Sequence, residues 1–191
     1  MKTALLLLEI QNDYFSTVNG RTPLEHSLEA SIKAQSVLNF YREKNHPVIH
    51  LQHISTHPNA SYFLPCTKGA DFYSNVQPLK NETVFKKHYP NCFKDTPLLN
   101  YLNKAKIQHL VICGMTTQGT VDASVRAAFD AGFICTVLHD ACAAQQLEFN
   151  NAVIPVQQVH HAFLAALEQG YAAVRSTDEY LQKANASLSV A

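Results

Sequence analysis

Apolar positions along the chain fall into two alternating rhythms. Thr3 to Glu9 is a continuous leucine-rich run closed by an acid, the pattern of a strand buried on both faces. From Leu24 to Lys44 the residues Leu28, Ile32, Val37, Leu38 and Tyr41 recur at helical spacing, and Asn45-His-Pro47 stops the run. Val48 to Ile54 predicts a second strand. Pro58 to Glu82, with Pro, Gly and Asn scattered through it, predicts a long connection of the kind that covers or serves a site. A short strand follows at Val84-Phe85 and a short helix at Thr96 to Ala105. Leu110 to Cys113 predicts a further strand that breaks at Gly114 into a Thr/Gln/Gly turn, after which Val121, Val125, Ala128 and Phe129 return to helical spacing as far as Gly132. Phe133 to Leu138 predicts a strand with His139-Asp-Ala-Cys142 as its carboxyl-end loop. A helix from Pro155 to Leu167, a strand from Tyr171 to Val174 and a helix from Thr177 to Lys183 complete the pattern, leaving Ala184 to Ala191 as a frayed tail.

Alternating strands and helices predict an α/β protein, a three-layer α/β/α sandwich around a mostly parallel six-stranded sheet. At 191 residues the chain suits a single domain, 1–191, with no repeat or linker. Ligands of such sheets bind beyond the carboxyl ends of the strands, so Thr116 to Thr120 is expected at the binding edge. There the first N–H groups of the following helix favour negative charge, and Thr117 and Thr120 are good capping residues.

Composition narrows the function classes. Fifteen basic and fifteen acidic side chains balance, with no long basic run, which argues against nucleic acid or an anionic membrane as partner. Ala4 to Leu8 is too short an apolar run for a signal peptide or a membrane span. Five cysteines without a CxxC pair favour reduced thiols and a cytoplasmic setting. Cys113 and Cys135 lie within expected strands and read as inert core thiols; Cys92 is near a candidate site, but nothing presents it as a nucleophile. Neither GxGxxG nor GxxxxGK[ST] is present, so no nucleotide cofactor is expected.

The stretch Gly114-Met-Thr-Thr-Gln-Gly-Thr-Val-Asp-Ala-Ser-Val-Arg-Ala-Ala resembles the nucleophile turn of the isochorismatase-like hydrolases, also called the cysteine hydrolase family. The resemblance continues through Thr136-Val-Leu-His-Asp-Ala-Cys-Ala-Ala and Val159-His-His-Ala-Phe-Leu-Ala-Ala-Leu, and covers residues 4 to 182. It implies the Rossmann-like isochorismatase fold and a catalytic triad of acid, Lys and Cys. Two positions depart from the family pattern. The strand-end Asp is Glu9, followed by Gln11-Asn-Asp-Tyr-Phe15 as in the family, and the position of the reactive Cys, six residues after Gly114, is Thr120. Lys87 matches the family Lys, counted back six from Phe93, with Thr96 beyond it. By the same resemblance Met115–Thr116 would be a cis peptide, and the N–H groups of Thr116 and Thr120 would form the oxyanion hole. Gln11, Phe15 and Tyr89 are candidate substrate-binding residues, while Asp13 is expected to organise its loop. Glu9, Lys87 and Thr120 are then expected within about 3 to 4 Å of one another.

Nicotinamidase members of the superfamily hold a metal through an Asp-x-His pair near the second strand. Here His50, His53 and His57 cluster, but His53-Ile-Ser55 lacks the acid, so no metal is expected. Three readings stand at this point: hydrolysis of an amide or related C–N bond with Thr120 in place of Cys; nucleophile-free hydrolysis of a vinyl ether with Glu9 as the acid; and a non-catalytic descendant that binds a small molecule. Family members commonly self-associate, so a homo-oligomer is expected.

Overall fold

The computed structural model describes residues 1–16 and 22–188. Its elements run β1 (Thr3–Leu8), α1 (Ser27–Glu43), β2 (Val48–His53), β3 (Thr83–Lys87), α2 (Leu98–Lys104), β4 (His109–Met115), α3 (Asp122–Asp130), β5 (Ile134–Ala143), β6 (Leu147–Phe149), β7 (Ala152–Ile154), α4 (Val156–Glu168), β8 (Ala173–Arg175) and α5 (Thr177–Leu188). Ala4 to Leu8 are all buried because β1 lies inside the sheet. Leu5 pairs with Val48 of β2 on one side and with Val111 of β4 on the other. The full order is β3-β2-β1-β4-β5-β8, and all five pairings are parallel. Helices α1 and α5 pack together against the sheet, as do α3 and α4, giving the three-layer α/β/α sandwich expected from the pattern.

Four local expectations change. Helix α1 buries Val37, Leu38 and Tyr41 of the expected stripe, but its first half turns Ala30 and Ala34 inward and leaves Leu28 and Ile32 51% and 49% exposed. Small residues at the contact let the helix axis approach the sheet, and they outweigh the larger side chains at neighbouring positions. Strand β5 continues through His139 to Ala143 instead of ending in a loop there. A register irregularity between Ile112 and Gly114 of β4 lets pairing resume at Gly114 with Cys142 and at Met115 with Ala143. The segment after it forms an unanticipated antiparallel hairpin, β6–β7, turned by Asn150 and Asn151 at φ 50° and 62°. Asn tolerates that left-handed backbone, which a two-residue hairpin turn needs. Helix α5 extends to Leu188, into the expected tail; residues 189–191 of that tail lie outside the described residues.

One buried charge cluster ties the far side of the sheet together. Glu82 accepts hydrogen bonds from Arg42 Nε at 2.7 Å, His50 Nε2 at 2.9 Å and the Leu79 N–H at 2.9 Å. Burial by itself would raise the Glu82 carboxyl pKa, but the bonds from Arg42, Leu79 and His50 overcome it and hold it down to about 2. A depressed folded-state value stabilises the protein fully above the ordinary 4.5 and is lost as pH falls through about 2. Glu82→Gln should therefore cost about 1.5–3 kcal/mol at pH 7 in urea unfolding, with the deficit shrinking as pH falls toward 2. A deficit independent of pH would contradict this.

Candidate active site

The carboxyl ends of β1, β3 and β4 meet at one point. Gly114 explains how β4 comes so close to β1: it sits at φ 134°, and a Cβ there would lie 2.0 Å from the Leu8 carbonyl oxygen. Only glycine allows this approach. Just beyond it the Met115–Thr116 peptide is cis, as the resemblance implies, and Thr117–Val121 makes one wide helical turn leading into α3. Glu9, immediately after β1, adopts φ 52°, a conformation that non-glycine residues occupy at a cost and that recurs at functional positions. Its N–H is fixed by the Leu51 carbonyl at 2.9 Å.

Glu9 is the hub. Thr120 Oγ1 donates to Glu9 Oε1 at 2.7 Å, and the Lys87 ammonium donates to the same oxygen. Lys87 is the last residue of β3 and fully buried; its remaining donors go to the carbonyls of Tyr89 at 2.7 Å and Pro90 at 3.4 Å. Tyr14 donates to Glu9 Oε2 at 3.3 Å, and His53 Nδ1 approaches Oε1 to 3.4 Å. Burial opposes ionisation of Glu9, but the contact with His53 and the charge of Lys87 outweigh it and hold its pKa below the ordinary 4.5. Glu9 is thus a carboxylate at neutral pH, paired with a buried ammonium whose donors are all satisfied.

The turn is braced from outside. Thr117 Oγ1 meets His160 Nδ1 of α4 at 3.0 Å, and Cys92 N–H donates to Ser124 Oγ of α3 at 3.1 Å, tying the loop after Lys87 to α3. Burial pushes the Cys92 thiol pKa up to about 11, so it stays protonated and inert.

The other candidates part company with the triad. Gln11 was expected to face a substrate, but it is fully buried. Its Nε2 donates to the carbonyls of His53 at 2.9 Å and Ala70 at 2.7 Å, and its Oε1 accepts the His53 N–H at 2.7 Å. Both amide donors are taken, so Gln11 clamps the end of β2 in place of a neighbouring strand. Phe15 stacks on Tyr73 at 3.6 Å between ring centroids and lines a cleft of about 470 Å³ with Tyr62, Leu64 and Tyr73. That cleft does not include Glu9, Lys87 or Thr120. Tyr89 contributes its carbonyl to Lys87, while its ring lies under Lys94 Nζ at 3.7 Å. Asp13 organises its loop as expected, though through a distant partner, the Phe63 N–H. His57 is exposed and accepts the Asn59 N–H at 3.2 Å. Among the described residues no group of three or more His, Cys, Asp or Glu could hold a metal ion. Nor is any described helix long and apolar enough to cross a membrane. Tyr14, a candidate for pocket wall or core in the sequence, instead serves the Glu9 carboxylate, and His160 escapes sequence reading because its partner Thr117 lies 43 positions away.

Comparison with known proteins places the chain in a family. Residues 3–179 match the isochorismatase domain. The chain is 41% identical to the uncharacterized isochorismatase family protein YddQ of Bacillus subtilis, over 95% of this chain and 100% of that one. A crystal structure from Oleispira antarctica, described as an isochorismatase hydrolase, is 43% identical with a TM-score of 0.90, covering 95% of this chain and 96% of that one. An isochorismatase structure from Pseudomonas putida KT2440 is 30% identical with a TM-score of 0.86, covering 93% and 89%. The chain belongs to the isochorismatase family.

Proposed function

We propose that the protein is a hydrolase that cleaves an amide or related C–N bond in a small molecule, with Thr120 as nucleophile. One observation carries the reading: the Thr120 hydroxyl donates to Glu9 Oε1 at 2.7 Å, on the oxygen that also meets Lys87. Glu9 is the base for the hydroxyl proton, and Lys87 balances the charge that moves through the site. As Thr120 Oγ1 attacks the carbonyl carbon, the N–H groups of Thr116 and Thr120 receive the developing oxyanion. The proton held by Glu9 then passes to the leaving nitrogen, and a threonine ester remains for water to hydrolyse.

The vinyl-ether alternative needs Glu9 as a proton donor, and the depressed pKa of its carboxyl disfavours that role. A purely binding descendant has no need of a hydroxyl aligned on a carboxylate beside a buried ammonium.

A panel of small amides, imides and carbamoyl compounds tests the reading in the parent, Thr120→Ala and Glu9→Gln proteins. Turnover should fall about 10³-fold or more in either variant. Activity that needs Glu9 but survives in Thr120→Ala would favour the vinyl-ether route. Binding without turnover of any compound would favour the non-catalytic one.

A further inference from the structure

His53 closes β2 beside the triad, and its ring is not used by the steps above. Its backbone is held on both sides by the Gln11 amide, and its ring packs on Phe63 at 5.6 Å between centroids. Its Nδ1 is buried, makes no aligned hydrogen bond, and lies 3.4 Å from Glu9 Oε1. A lone pair aimed at a carboxylate oxygen at that distance is repelled, whereas an N–H is attracted, so the proton belongs on Nδ1. The lone pair is then on Nε2. The side chain is 18% exposed although Nδ1 is buried, and among the described residues no hydrogen bond reaches Nε2. A carboxylate that fixes one ring nitrogen and leaves the other as an open acceptor is the arrangement of a general base.

We propose that His53 activates water for the second half of the reaction, with Glu9 holding its Nδ1–H. This rests on Thr120 forming an ester in the first half. Water attacks the ester carbonyl and gives its proton to His53 Nε2. The C–Oγ bond then breaks, the proton passes to Thr120 Oγ1, and the carboxylic acid is released with the free hydroxyl restored. The chemistry calls for a second base. A threonine ester is less activated than a thioester, and once Thr120 Oγ1 is acylated the Glu9 oxygens still face Lys87, Tyr14 and His53, so the incoming water needs an acceptor of its own.

His53→Asn keeps an N–H donor near the Nδ1 position and removes Nε2. With p-nitrophenyl acetate as probe, the parent should turn over steadily. His53→Asn should release about one equivalent of nitrophenolate and then slow at least tenfold, with acetyl-Thr120 accumulating in peptide mass spectra. Steady turnover at the parent rate, or equal loss of the burst and the later phase, would overturn the proposal. No acetyl on Thr120 in any protein would instead overturn the Thr120 reading. The tautomer is decided separately by ¹⁵N NMR of histidine-labelled parent protein at pH 7.5. Protonated Nδ1 and bare Nε2 at His53 is the expected result, whether or not the ester is turned over. A proton on Nε2 sinks the inference by itself.

Discussion

Thr120→Cys should give the most reactive thiol in the protein. The new sulfur would sit beside the Lys87 ammonium and at the turn that opens α3, and both favour the thiolate. The native thiols set a low background. Cys92, Cys113, Cys135 and Cys142 are buried, and burial raises every one of their pKa values, to about 11 for Cys92 and about 12 for Cys135 and Cys142. Only Cys66 is exposed. Iodoacetamide at pH 6.5 should therefore alkylate Cys at position 120 roughly tenfold faster than Cys66 or more, read by peptide mass spectrometry. The variant should also hydrolyse amides that the parent leaves intact, since a thiol needs less help from its base than an alcohol. Labelling no faster than at Cys66 would mean that the site is dismantled, and the non-catalytic reading would then replace the one proposed.

Removing the ammonium should have the largest effect on stability. Lys87→Met leaves the Glu9 carboxylate buried without its counter-charge, which costs about 3–5 kcal/mol at neutral pH. The sign of the pH dependence reverses as well. In the parent the Glu9 pKa is below the ordinary 4.5, so the pair stabilises the fold above that value and weakens as pH falls through the lower one. Without Lys87, burial dominates and raises the folded-state pKa, so the penalty is greatest near neutrality and shrinks on acidification as Glu9 takes up a proton. Urea unfolding at pH 7.5 and pH 4.5 measures both. A deficit below about 1 kcal/mol at pH 7.5 would show that the pair is not a buried one.

What could be read from the sequence follows the strength of each local signal. The Leu run of β1 and the apolar stretch of β4 can only be interior strands, and the motif spacing leads from them to Glu9, Lys87 and Thr120. The pattern gives the inward face of α1 from Val37 to Tyr41 but not at its start, because hydrophobicity ranks Leu28 and Ile32 above Ala30 and Ala34, whereas close approach to the sheet selects for size. The extension of β5 depends on a register change in its partner strand, which no pattern within β5 itself can show. Gln11 and His53 were both visible as polar residues near strand ends. Their roles as clamp and as Glu9 partner depend on contacts across 42 and 44 positions that only the folded chain displays.

The central place of β1 has a consequence for how the protein is made. Thr120 and Glu9 are 111 positions apart, and Lys87 and Glu9 are 78 apart, so the site does not exist until the sheet has closed around its first strand. On the ribosome that strand emerges before both of its partners. One edge can be covered once Val48–His53 has followed it out, but the other waits for His109–Met115. Meanwhile Leu5 to Leu8 offers an uncharged, unpaired edge of the kind that seeds aggregation. Long-range parallel pairing of this sort is slow to form. The leucine run that anchors the finished core is also the stretch that most needs shelter while the chain is being made.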